Sequence, residues 1–281
     1  MSIKIMIDSA SDFTENKAKE LGMILMPISV QIDGEEYLDG VDLFAEQFYD
    51  KLETCKNLPQ TSLINQYTFE QAFEKETQDG SQIIVITISS KLSGTYNAAV
   101  NASKKFTDKV FVVDSLNAAF AEGVLGIYAV NLREQGLNCQ EILEKLNEKK
   151  NDIRVYALVD TLKYLKKGGR ISAATAIIGT TLSIKPIVGV VDGEVKMVGK
   201  AIGNKRGNLM LNSIIESSGG VDLDMPYGYI WSGKDRTNID KYIKDSNHLI
   251  QGKPSSLNIL GCTIGTHVGA GAVGLVYFKK N

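Results

Sequence analysis

The chain has 281 residues, 43% of them hydrophobic, and its 31 Lys and Arg against 33 Asp and Glu give a formal net charge of -2. This length suits one large domain or two modest ones, and we expect two. The near balance of charge gives no electrostatic basis for binding nucleic acid. No apolar run reaches the roughly 18 residues that span a bilayer, and the N-terminus enters a strand pattern without the features of a secretory signal. We therefore expect a soluble, cytoplasmic protein.

The cysteines and histidines argue against a metal site. Cys55, Cys139 and Cys262 are odd in number and widely spaced, which is typical of reduced thiols rather than of a disulfide framework. His248 and His267 are the only histidines, too few for a His/Cys cluster. We expect neither a metal nor a cofactor.

The first half of the chain alternates strand and helix patterns. Strands are predicted over the apolar runs at 3–8, 23–32, 82–88 and 109–113. Helices are predicted over 12–21, after an N-cap at Asp42, from a capping box near Thr68, and over about 94–106, 117–135 and 138–152. This alternation predicts a Rossmann-like parallel sheet covered by helices, an α/β domain over residues 1–150.

From Ile153 the pattern changes. Strand patterns occur in "IRVYALV", "YGYIWS", "LNILGCTIG" and "AVGLVYF", and Asp192-Gly193 marks the turn of a hairpin. Helices are expected around 205–217 and 235–246, with helical pieces on both sides of the basic turn "KKGGR". We therefore expect an α+β domain with a mixed sheet over 151–281, and the segment near 55–80 is a candidate to pack against it.

The stretch "SSKLSGT", Ser89 to Thr95, follows a predicted buried strand and precedes a predicted helix. In an open parallel sheet, ligands bind beyond the carboxyl ends of the strands, and a helix N-terminus there attracts an anion. Gly94 lets the backbone approach a ligand closely, while Ser93 and Thr95 add hydroxyl donors. These residues are suited to a small oxyanion. The structural alternative is that Ser93 only caps the helix, as serines often do.

The sequence leaves a catalytic and a phosphate-binding alternative to consider. Ser93 could act as a nucleophile with His267 as its base, although the G-x-S-x-G elbow is absent from "KLSGT". That pair therefore stays open, with His267 placed in the glycine-rich loop "GTHVGAGAVG". The sequence "GAGAVG" matches a dinucleotide fingerprint only formally, because a strand pattern follows it instead of a helix.

Several motifs resemble those of one known family along the whole chain. They are "MIDSASDFT", "PQTS", "TISSKLSGTYNAA", "VVDSLNAAFAEG", "TLKYLKKGGRIS", "IKPIVGVVDGEV" and "GTHVGAGAVGLVYF". In order and spacing they resemble the DegV family. The resemblance implies a long-chain fatty acid bound between two domains, similar to the FakB-type subunit of bacterial fatty acid kinase. Such a subunit presents the acid to a separate ATP-dependent kinase subunit, and the acyl phosphate product enters phospholipid synthesis.

The resemblance also implies a set of ligand-binding residues. Thr61, Ser93 and His267 should hold the carboxylate, with Ser62 and Gly94 beside them. Without the resemblance, Thr61 and Ser62 are better explained as a turn that opens the next helix than as ligand contacts. Arg170, in "KKGGR", should face either the carboxylate or the kinase, and its alternative is a solvated loop.

Two positions depart from the family pattern. Ile202 stands where FakB-like proteins often carry an arginine, which weakens the inference of kinase docking, although Lys205 and Arg206 can substitute. Ala270 replaces a common proline. We expect a carrier without catalysis of its own, and transient membrane contact is compatible with that role. A serine hydrolase using Ser93 and His267, or a lipid sensor without a kinase partner, remains the alternative.

Overall fold

The computed structural model describes residues 2–172, 183–253 and 255–280. The strands are β1 (Ile3–Asp8), β2 (Met23–Met26), β3 (Ser29–Ile32), β4 (Glu35–Leu38), β5 (Gln60–Ser62), β6 (Gln82–Thr87), β7 (Val110–Asp114), β8 (Ile153–Leu158), β9 (Ile184–Val191), β10 (Glu194–Ile202), β11 (Gly228–Trp231), β12 (Ser256–Ile259) and β13 (Val273–Phe278). The α-helices are α1 (Glu15–Glu20), α2 (Ala45–Thr54), α3 (Gln66–Glu76), α4 (Thr95–Ser103), α5 (Phe120–Glu134), α6 (Cys139–Lys149), α7 (Lys163–Lys167), α8 (Gly203–Ser217), α9 (Thr237–Ser246) and α10 (Cys262–Val268). None of these helices is both long and apolar enough to cross a membrane.

A four-stranded parallel sheet organises the first half of the chain. Its order is β2-β1-β6-β7, and every neighbouring pair is parallel. The run Ile83 to Ile86 is buried throughout, as expected for a parallel strand covered on both faces. Helices α4, α5 and α6 pack on this sheet. The predicted parallel α/β architecture is confirmed.

A six-stranded mixed sheet organises the second half. Its order is β10-β9-β8-β13-β11-β12, with β11 and β12 parallel and the other pairs antiparallel. Asp192 and Gly193 both have positive φ, 53° and 81°, which is the backbone that a tight two-residue hairpin turn requires. Helix α8 packs on β8 to β10, and α9 packs on β11 and β13. The predicted mixed sheet and hairpin are confirmed.

The single strand predicted over 23–32 is wrong. It is two strands, β2 in the parallel sheet and β3 in a separate antiparallel sheet of order β4-β3-β5. Pro27 lies between them, and because proline has no N–H to donate, it interrupts a ladder of strand hydrogen bonds. The chain changes sheets at this point.

Three predicted helix boundaries are also corrected. Asp42 does not cap α2; its Oδ1 accepts the N–H of Leu38 at 2.6 Å within a turn, and α2 begins after Phe44. Helix α3 begins at Gln66 because Asn65, rather than a box at Thr68, accepts an N–H as its cap. The stretch "LNILGCTIG" is not one strand, since β12 ends at Ile259 and helix α10 follows. The helical piece predicted after Ser172 lies outside the described residues.

The two halves of the chain share one hydrophobic cluster. It contains Ile84 and Phe120 from the first half together with Val188 and Phe278 from the second. The hairpin turn adds a polar contact, because the Ser89 hydroxyl donates to the carbonyl of Gly193 at 2.7 Å. Within the segment near 55–80, strand β5 contacts α10 of the second half, whereas α3 packs against α4 of the first half. The division at 1–150 and 151–281 stays a prediction.

Candidate ligand cavity

A cavity of about 270 Å³ lies between the parallel sheet and the six-stranded sheet. Its walls are mostly aliphatic, and polar side chains form a minority of the lining. Among the described residues, the polar or charged ones that line it are Thr61, Ser62, Ser93, Arg170, Thr263 and His267. Gly94 lines it as well, so every residue predicted from sequence to contact the ligand or its mouth borders the same cavity.

Alternate side chains along β8 form one apolar wall of the cavity. Val155 and Ala157 of this strand line the cavity, as does Val159 directly after it. Tyr156 and Leu158 point to the opposite face and belong to a second hydrophobic cluster beneath α8 and α9. Because successive side chains of a strand point to opposite faces, one strand builds both the cavity wall and the core behind it.

Thr61 and His267 form a direct hydrogen bond at the border of the cavity. The distance between Thr61 Oγ1 and His267 Nε2 is 3.0 Å, and the residues lie 206 positions apart in sequence. Thr61 is on β5, which pairs with β3, and His267 is in the last turn of α10. The prediction that His267 lies in a glycine-rich loop is therefore wrong, since the glycine-rich segment begins only after this helix ends at Val268.

His267 is held in its neutral form. Burial, and to a smaller extent the positive charge of Arg170, lower the pKa of its imidazole to about 4. A neutral imidazole has one donor nitrogen and one acceptor nitrogen. Its other side faces Gly168, where a Cβ would lie only 2.2 Å from Nδ1. The glycine of the basic turn therefore leaves the space that the imidazole fills.

Ser93 lies immediately before α4. Its Oγ accepts the N–H of Thr95 at 3.2 Å and shares a hydrogen bond with Thr95 Oγ1 at 2.9 Å. The N-cap of α4 is Gly94, and no side-chain bond caps this helix, so the interpretation of Ser93 as the capping residue is wrong. Ser93 accepts the N–H of the first helical residue while it borders the cavity. Neither bond involves His267. Gly94 is crowded by Leu63, whose Cδ2 would lie 2.8 Å from a Cβ at that position.

Arg170 lies at the end of the cavity where His267 is found. Its Nε donates to the carbonyl of Leu92 at 3.2 Å, and its Nη1 donates to the carbonyl of Gly168 at 2.6 Å. Uncharged carbonyls orient the guanidinium without neutralising it. A positive charge therefore lies beside the Thr61 and His267 pair, which favours an anion there.

A second, open groove of about 900 Å³ reaches the same place from the surface. It shares Thr61, Arg170 and His267 with the cavity, and it also borders Lys56 and Lys167. We call it the outer groove. The polar end of the cavity is consequently accessible from outside through a basic surface. Ile202, by contrast, borders neither space and is 60% exposed.

Sequence reasoning missed Thr263, which also lines the cavity. It lies four residues before His267 on α10, and positions i and i+4 share one face of a helix. Recognising α10 as a helix would have identified it. Within the described ranges, no group of three or more His, Cys, Asp or Glu side chains is arranged to hold a metal ion.

Comparison with known proteins identifies the family. A sequence model of the DegV family matches residues 2–280. The chain belongs to the DegV family. A DegV domain-containing protein of Caldanaerobacter subterraneus subsp. tengcongensis is 32% identical over 282 residues, covering 99% of each chain. The predicted membership is confirmed.

Solved DegV structures share the fold over their full length. A fatty-acid-binding DegV protein from Thermus thermophilus has a TM-score of 0.87 and 27% identity, covering 100% of both chains. A stearic-acid-binding protein from Eubacterium ventriosum has a TM-score of 0.88 and 25% identity, covering 100% of this chain and 99% of the other.

Proposed function

We propose that this DegV protein binds one long-chain fatty acid in the cavity, with the carboxylate at the end formed by Thr61, Ser93 and His267. The observation that carries the proposal is the Thr61 and His267 hydrogen bond at the border of a mostly aliphatic cavity. Fatty-acid binding by the Thermus thermophilus and Eubacterium ventriosum proteins supports it.

The aliphatic walls suit an alkyl chain. Burying about 15 methylenes at ~0.8 kcal/mol each contributes roughly 12 kcal/mol before ordering costs. A charge-assisted hydrogen bond contributes only about 1.5–3 kcal/mol net. The tail therefore supplies most of the affinity, and the head sets the position of the carboxylate along the cavity.

The polar end offers donors to both carboxylate oxygens. The hydroxyls of Thr61 and Ser93 can turn towards the ligand, and the imidazole of His267 can donate from one nitrogen. The charge of Arg170 complements the anion. Ser62 is exposed and lies at the rim, where it is a weaker contact. No cofactor is needed for binding of this kind.

Mass spectrometry of the purified protein tests the proposal. We expect a fatty acid to co-purify at nearly one per chain, and Ser93→Ala or His267→Ala to lower the occupancy severalfold. His248→Ala is the matched control, because the other histidine of the chain is exposed and pairs with Glu216 at 3.4 Å. An empty protein whose melting temperature does not rise with added fatty acid would contradict fatty-acid binding.

We further propose that the bound acid is presented to an ATP-dependent kinase subunit through the outer groove. A carboxylate oxygen would attack the γ-phosphorus of ATP, the bond to ADP would break, and an acyl phosphate would remain. The lysines of the outer groove, among them Lys56 and Lys167, are suited to the negative charge of a nucleotide. Lys205 and Arg206 lie in the first turn of α8 and offer basic contacts near Ile202.

A phosphorylation assay separates the carrier from its alternatives. We expect a fatty acid kinase subunit to convert the bound acid to acyl phosphate in the presence of ATP, and the protein alone to leave simple esters intact. Binding of fatty acid without phosphorylation by any of several kinases would favour the sensor. Ester turnover that Ser93→Ala abolishes would favour the hydrolase, which the separate bonds of Ser93 and His267 do not support.

Membrane contact and cellular location are two further predictions. Leu63 lines the cavity and is 50% exposed, and Tyr67 in the first turn of α3 is 66% exposed; these exposed side chains are compatible with transient contact with a membrane. The cytoplasmic location is likewise expected from the sequence.

A further inference from the structure

Two aspartates of the first half of the chain hold the N-terminus of α10. Asp39 is 3% exposed; its Oδ1 accepts the N–H of Cys262 and its Oδ2 accepts the N–H of Thr263, both at 3.0 Å. Asp12 Oδ1 accepts the N–H of Gly261 at 2.8 Å. The residue pairs joined by these bonds are between 223 and 249 positions apart.

The bonds to Asp39 satisfy N–H groups that the first turn of a helix leaves without partners. A carboxylate is also favoured at this end by the helix dipole. Because two oxygens of one side chain accept two successive N–H groups, the contact restrains both the position of α10 along its axis and its rotation.

The opposite end of α10 carries His267. The helix has seven residues and is therefore about 10 Å long. Thr263, which donates to Asp39, lies four residues before His267 on the same helix face, and both line the cavity. A shift at the first turn is consequently transmitted to the imidazole.

We propose that Asp39 is a positioning residue for the head of the cavity: it holds α10 so that His267 meets Thr61 and, resting on the proposed function, the carboxylate of the ligand. Asp39 touches neither partner itself. It acts through the two backbone bonds at the start of the helix.

Other contacts keep α10 attached to the protein when Asp39 is changed. A Cβ at Gly265 would lie 2.6 Å from Phe48 and 2.8 Å from the hydroxyl of Tyr49, so the helix packs closely against α2. The Tyr49 hydroxyl also donates to the carbonyl of Leu260 at 3.0 Å. We therefore expect an Asp39 variant to fold with a displaced α10.

Asp39→Asn and Asp12→Asn form a matched pair. Each change removes one carboxyl and keeps the shape of the side chain. In Asp39→Asn an amide NH₂ faces a backbone N–H, so one of the two bonds is lost. In Asp12→Asn the amide can occupy the place of Oδ2, which makes no hydrogen bond among the described residues, and the bond to Gly261 survives. Asp12 therefore controls for the loss of the carboxyl alone.

The experiment compares an 18-carbon fatty acid with the 18-carbon alcohol by calorimetry, and follows the imidazole signals of both histidines by NMR in the ligand-free variants. We expect Asp39→Asn to weaken acid binding about tenfold, the equivalent of one charge-assisted bond, and alcohol binding less than twofold. It should shift the signals of His267 but not those of His248, and Asp12→Asn should do neither.

Equal weakening for acid and alcohol, or His267 signals that are unchanged in Asp39→Asn, would overturn the inference. Similar effects of both variants would also overturn it, by assigning the effect to the carboxyl rather than to the hydrogen bonds. If the wild-type protein binds neither ligand, the proposed function fails, and the NMR comparison of the two variants still decides the role of Asp39.

Discussion

His267 combines a low pKa with a hydrogen bond to Thr61 and a position beside the cation Arg170, and this combination determines its protonation state. Its pKa of about 4 lies below the value of 6.5 that a histidine has in the unfolded chain, and burial is the larger cause, followed by Arg170. At neutral pH both states hold it uncharged. The site can therefore present a neutral donor to a carboxylate.

Stability should depend on His267 between pH 6.5 and 4. As the pH falls through this window, the unfolded state takes up a proton that the folded state does not, so the free energy of unfolding decreases. Below pH 4 both states are protonated and the loss stops. Burial raises the pKa of Asp8 to about 7, which acts in the opposite direction, since its contribution to stability is lost as the pH rises through 7.

Denaturant unfolding at several pH values measures the free energy of unfolding of the wild type and of His267→Gln, and the difference between the two is followed with pH. We expect the wild type to lose stability relative to the variant as the pH falls from 6.5 to 4, by at most about tenfold in the unfolding constant per pH unit. A difference that is constant over this range would contradict the low pKa.

The sequence identified most of the polar residues that line the cavity, but not the residues that hold them in place. Ser93, Gly94 and Thr61 were found because hydroxyl and glycine motifs match a family pattern. Asp39 was not found, because its partners are 223 and 224 positions away and no local pattern links them.

Among the structural elements, the basic turn after α7 contains two glycines, Gly168 and Gly169, that are needed for different structural reasons. Gly168 has an ordinary φ of -74°, yet a Cβ there would collide with His267. Gly169 has a φ of +71° and open space around it. Gly168 is required because a side chain there would collide with His267, whereas Gly169 is required because its own backbone has a positive φ.

Gly168→Ala and Gly169→Ala should accordingly separate binding from stability. Gly168→Ala displaces the imidazole, so we expect fatty-acid occupancy to fall severalfold. Gly169→Ala places a side chain at positive φ, which costs about 1 kcal/mol of stability and leaves occupancy near the wild-type level. Mass spectrometry and thermal unfolding measure the two effects, and equal occupancy in both variants would contradict the role of Gly168.

Elements were predicted well where local patterns determine them. The buried run of β6 and the Asp192-Gly193 turn are set by periodicity and turn chemistry, and both are confirmed. Helix α10 was missed because it is short, contains a glycine, and receives its cap from Asp39 in a remote part of the chain. Short elements that depend on tertiary contacts carry little signal in their own residues.

At the scale of the whole molecule, the cavity belongs to neither half of the chain alone. One wall comes from β8 and β9, while Ile88, Ala118 and the residues before α4 form the facing wall. The shared hydrophobic cluster and the Ser89 contact to Gly193 hold these walls together. Composition and motif order predicted two kinds of sheet, but the continuous core between them depends on packing that periodicity does not describe.

The long sequence separation of Thr61 and His267 determines when their hydrogen bond can form during protein synthesis. At about 5–20 residues per second, the 206 positions between them take roughly 10–40 s to translate. Until α10 has left the ribosome, a growing chain has the hydroxyl of Thr61 without the imidazole of His267. On the proposed function, retention of the ligand therefore indicates that α10 has packed into its final position.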